Sequence, residues 1–160
     1  MGVTRWLLIV FGTLSAVCGL YAYMVEVVFS AYGAEWTLVS GAAIIITFVK
    51  MITIAVLAWL AARDLKKIDG RAQEYFRLNA MGWLGWIGLL FIATAVWFLY
   101  LNLQNDFPMT HFEERPWWRW LAMVAFDLEQ FAHLALIGAT CLYARYRIAA
   151  NKRLTAPSDH

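Results

Sequence analysis

WRWLAMVAFDLEQFAHLALIGATCLY (Trp118–Tyr143) is an apolar run with four polar side chains set into its middle. As a helix it extends about 39 Å at ~1.5 Å per residue, enough to cross a ~30 Å hydrocarbon layer. Three further runs have the same character: residues 6–31, 36–62 and 81–103. Backbone groups in hydrocarbon must satisfy one another, which selects helices. The sequence therefore predicts an all-α protein, an integral membrane four-helix bundle spanning 6–31, 36–62, 81–103 and 118–143. Residues 1–150 form one domain, and 151–160 are a polar tail.

Composition agrees. The chain of 160 residues is 62% hydrophobic and carries a net charge of only +2, which excludes nucleic-acid binding as an expectation. The placement of charge is more informative than its sum. Ten of the 13 Lys and Arg residues fall before the first run, between the second and third, or after the fourth. Only Arg115 and Arg119 lie on the opposite side, among Glu35, Asp106, Glu113 and Glu114. The positive-inside rule then places both termini in the cytoplasm, with the cell inner membrane as the expected location. Trp36, Trp117 and Trp118 suit the outer interface. The first run continues past Cys18 without an A-x-A site, so it is expected to stay as a span and not be cleaved. Cys18 and Cys141 fall at different depths, which argues against a disulfide.

The connection "SAYGAEW" is short enough to make the first two spans antiparallel neighbours. The connection "ARDLKKIDGRAQEYFRLNA" is polar and partly helical in expectation, with a break at Gly70. Pro116 suits the first turn of the fourth helix. Gly82, Gly85 and Gly88 recur at every third position and allow a neighbouring backbone to approach.

The polar side chains carry the functional expectations. Asp127 lies about 14 Å, and His133 about 23 Å, below Trp118 along a helix. Glu129 and His133, at i and i+4, share one face; Gln130 and Asp127 extend that flank. Lys50 lies near mid-membrane, and Glu26 nearer the outer side. A central charge costs at least ~2.5–3.5 kcal/mol on insertion scales, so these groups are expected to face one another, or water, inside the bundle. The specific expectation is that Lys50 pairs with Asp127 or Glu129, and that Glu129 and His133 share a mobile proton. Gln130 reads as interhelical glue.

Three functions are compatible with that cluster. The first is a small subunit in proton-coupled transport or proton translocation, with Glu26, Lys50, Asp127, Glu129, Gln130 and His133 as relay or ligand-binding residues. Other membrane subunits or a homo-oligomer, within a lipid bilayer, are its expected partners. The second is a quinone-binding anchor of an oxidoreductase, with Trp83 and Trp86 holding the ring. Haem b is not expected, because His133 is the sole His within a span. The third is a metal-dependent membrane enzyme using Glu129 and His133, although the chain has no Glu-x-x-His motif. P-loop, GxGxxG and GxSxG motifs are absent.

Overall fold

The computed structural model describes residues 2–30, 38–69, 82–106 and 117–154. Side chains near several helix ends, Glu26 among them, lie outside that description. So do Trp36, Gly70, Pro116 and the polar tail from 155 onward. Four helices make up the described residues: α1 Gly2–Ser30, α2 Leu38–Asp69, α3 Gly82–Asp106 and α4 Trp117–Leu154. Each contains a stretch long and apolar enough to cross a membrane, the pattern of a multi-pass membrane protein. The helices outrun the expected spans. α2 continues from Ala62 to Asp69 and α4 from Tyr143 to Leu154, so the basic segments after both spans remain helical.

The helices pack in a row, α2–α1–α4–α3. α1 contacts both α2 and α4 along its length, α3 packs on α4, and α2 touches α4 only briefly. The expected four-helix bundle is thus an open row, with α2 and α3 at its edges. Neighbours in the row are antiparallel. Gly12 meets Ala58 and Gly19 meets Met51 across α1–α2, while Gly88 meets Gly138 and Leu142 across α3–α4.

The row follows from where the small residues fall. The buried face of α4 is Ala125, Glu129, Ala132, Leu136, Ala139, Leu142 and Tyr146, spaced by threes and fours. On α2 it is Met51, Ala55, Ala58, Ala62 and Leu65. On α1 it is Thr4, Leu8, Gly12, Ser15, Gly19 and Ala22. Such seams let helices approach closely where lipid removes the ordinary hydrophobic drive between them. Larger apolar side chains point outward. Trp83 is 87% exposed, and Ile46, Trp59, Leu90 and Trp97 are also exposed. In water that surface would be a severe liability; against acyl chains it is the favourable one.

Hydroxyls on the exposed faces satisfy themselves. Thr13, Thr53 and Thr94 donate to the carbonyls of Ile9, Val49 and Leu90 at 2.7–2.9 Å, one turn back. Trp59 Nε1 donates to Thr13 Oγ1 at 3.3 Å and ties α2 to α1.

Gly88, near the start of α3, makes a close approach to Gly138 and Leu142. Gly82 opens the helix at φ +55° with nothing near its Cβ position. A Cβ at Gly138 would lie 2.5 Å from Gly88 O and 2.7 Å from Ile92 Cγ1. Gly138→Ala should therefore destabilise α3–α4 packing by about 1–3 kcal/mol, the usual penalty for overpacking. Gly2→Ala should change nothing, because Gly2 has open space. Reversible unfolding of the detergent-solubilised protein measures both.

Candidate functional site

Glu129 occupies a seam position on α4 that its neighbours fill with Ala and Leu, and is only 3% exposed. The same spacing brings it against α1. A Cβ at Gly19 would lie 3.2 Å from Glu129 Cγ, and would also collide with Met51. Glycine at position 19 thus makes room for both the carboxylate and the methionine that caps it from α2.

His133, one turn along α4, is 19% exposed and brings Nδ1 into ion-pair contact with Glu129 Oε1. Gln130 Nε2 donates to Glu129 Oε2 at 3.1 Å, which fixes the other carboxylate oxygen. The His–Glu contact is close but not directed as a hydrogen bond, so Glu129 Oε1 has no hydrogen-bond partner among the described residues. The same holds for His133 Nε2 and for Ser15 Oγ, both buried. Ser15 precedes Gly19 by one turn on the same face of α1, as His133 follows Glu129 on α4. With α1 and α4 antiparallel, Ser15 stands at the level of His133. Phe11 and Phe131, with ring centroids 5.2 Å apart edge to face, close the seam beside them.

Two further buried polar atoms in this seam, His133 Nε2 and Ser15 Oγ, thus lack a hydrogen-bond partner among the described residues, and an unmet buried group costs about 1–3 kcal/mol. A neutral imidazole whose Nδ1–H faces the carboxylate offers Nε2 as an acceptor. Once protonated it presents a second N–H that requires one. Ser15 and Glu129 Oε1 carry open acceptor sites. The arrangement can therefore hold a proton on either residue of the pair while leaving the pair neutral in total. Cys18, on the next face of α1, is within electrostatic reach of Glu129. Cys18 and Cys141 are free thiols.

Other expected members are placed elsewhere. Lys50 is exposed and forms no ion pair with Asp127 or Glu129. The expected Lys50 pairing is corrected here. Met51 occupies the seam, and Lys50 is rotated ~100° out of it. α1 also stands between α2 and the middle of α4. Asp127 does not join Glu129 either. Two residues apart on a helix is ~200°, so Asp127 turns to α3, where it accepts from Asn102 Nδ2 at 3.4 Å. A continuous relay through Asp127 to Glu129 is not assembled on one flank of α4.

Trp83 and Trp86 are exposed on the outer face of α3. The α3–α4 register puts them near the level of residues 140–146, roughly 10–25 Å along the axis from the Glu129–His133 pair. They do not form a cleft with it. Glu129 and His133 supply two possible metal donors, and no group of three His, Cys, Asp or Glu side chains is found among the described residues.

Sequence reasoning missed Ser15, Asn102 and a second polar group at the basic end. There Tyr143 OH donates to Asp64 Oδ2 at 2.8 Å, and Arg147 Nε contacts the same oxygen at 3.2 Å. The available signal was the seam spacing, which puts Ser15 in line with Leu8 and Ala22.

No family model, no curated protein and no solved structure matches this chain.

A buried pair of this kind behaves as a unit. His133→Leu alone strands Glu129 and should destabilise the protein more than Glu129→Leu/His133→Leu does. The expected coupling between the two sites is about 1 kcal/mol, within the range of interhelical polar pairs in membranes. A double-mutant cycle on reversible unfolding in mixed micelles measures it. Additive effects would show that the two side chains do not interact.

Proposed function

We propose that this protein is a small polytopic subunit of the cell inner membrane, with both termini cytoplasmic. Glu129 and His133 bind and pass on a proton in proton-coupled transport or proton translocation by a larger assembly. One observation carries the reading: a nearly fully buried carboxylate in contact with an imidazole, with acceptor sites still open on both sides of the pair. Buried, coupled titratable groups are what proton transfer at a fixed site needs.

Lys50 supports the assembly. It sits near the middle of α2, inside the stretch Ile45–Lys67 that is apolar enough to cross a membrane, among exposed Ile46, Val49 and Ile52. Facing lipid it costs at least ~2.5–3.5 kcal/mol on insertion scales. A carboxylate from a partner span, or from a second copy of this chain, removes that cost. The charge once assigned to the interior thus becomes a mark of the surface where the next subunit docks.

Proton flux into proteoliposomes carrying the purified assembly tests the central reading. Glu129→Gln and His133→Gln should each reduce flux about a hundredfold or to background, as expected when a proton-transferring group is removed. Wild-type flux in both variants would contradict it. Separately, Lys50→Leu should release the partner, seen as a lower mass by light scattering in mild detergent, while Lys50→Arg keeps it. An unchanged mass for Lys50→Leu would remove the assigned docking surface.

A further inference from the structure

In the half of the row that carries the basic residues, α2 and α4 meet at Asp64, Tyr143 and Arg147 and leave a gap beside that contact. The gap is a groove of about 560 Å³, within the roughly 300–1,000 Å³ typical of ligand sites. Ile54 and Leu57 of α2 face Leu136 and Thr140 of α4 across it, over a floor at Leu8. From Ile54 to Asp64 it runs about 15 Å along α2.

One end is polar. Tyr143 OH and Arg147 Nε both engage Asp64 Oδ2. Using Nε for that contact leaves the four Nη hydrogens of Arg147 for another acceptor, and its side chain is about half exposed. Arg5 lies one turn beyond Leu8 on the same face of α1, and its Nε is buried without an acceptor among the described residues. Arg147 lines this end beside Asp64, and Arg5 precedes the floor residue Leu8 by one turn. Arg63, Lys66 and Lys67 of α2 add positive charge nearby.

We infer that the α2–α4 groove binds one anionic glycerophospholipid, an acyl chain lying on Leu8, Leu57 and Leu136 and the phosphate held by Arg147. An apolar channel that ends in a cation at the depth of the headgroups matches that chemistry, and basic pockets between spans recognise anionic headgroups elsewhere. Asp64 and Tyr143 orient Arg147, so that its Nη edge faces the headgroup. A quinone, whose carbonyls are neutral, would offer that Nη edge no anion. This site is separate from Glu129–His133, so its failure leaves the proton reading untouched.

Native mass spectrometry of the full-length protein, released from nanodiscs of phosphatidylglycerol or of phosphatidylcholine, provides the test. One phosphatidylglycerol should stay bound per chain, retained over phosphatidylcholine by about fivefold or more, the contribution of one basic residue near an anionic surface. Arg147→Gln should erase most of that preference and Arg147→Lys should keep it. Ala61→Phe, which fills the groove, should reduce retention of both lipids, whereas Leu90→Phe on the exposed face of α3 should not. Inorganic phosphate should fail to displace the lipid. Equal retention of the two lipids, indifference to both Arg147→Gln and Ala61→Phe, displacement by phosphate, or a retained quinone in place of phospholipid would each overturn the inference.

Discussion

Everything distinctive in this protein depends on the seam between α1 and α4. Small residues there bring two helices close enough to enclose a carboxylate. Gly19 contributes to that fit, since a Cβ there would lie 3.2 Å from Glu129 Cγ and against the flexible end of Met51. The seam sets the order of the row, because α1 lies between α2 and α4 where it forms. It thereby limits α2–α4 contact to a short stretch and turns Lys50 to the outside. A single packing choice thus separates three polar features: a buried pair, an exposed mid-helix cation, and a groove end lined by Arg147.

The energetic logic of the pair is the balance familiar for buried charges. Desolvation opposes placing Glu129 in the interior, and one good contact seldom repays it. Gln130 and His133 engage both carboxylate oxygens, but the set of polar atoms remains incompletely met. A seam optimised for stability alone would carry Ala or Leu at position 129, as it does at 125, 132 and 136.

The fold was largely legible in the sequence. Four apolar runs gave four helices, and the short first connection gave an antiparallel α1–α2 pair. Glu129 with His133 was also legible, because i and i+4 on a helix face is local geometry. What could not be read from local spacing was which helices touch. Lys50 and Glu129 share a depth but not a face, and depth alone suggested a pair. The three–four recurrence of Gly, Ala and Ser distinguishes them, since it places Met51 inside and Lys50 outside. Asp64 escaped notice because it lay in a stretch assigned to a connection, whereas α2 continues through it to Asp69.

The central claim is that Glu129 and His133 hold one proton between them within the seam. Infrared difference spectra of the protein in lipid bilayers, recorded as pH is stepped, measure this most directly. The account predicts a carboxyl C=O band that appears and disappears together with an imidazole band, reversibly, and that is lost in Glu129→Gln. A carboxyl band that persists in that variant, or an imidazole transition with no accompanying carboxyl change, would contradict it.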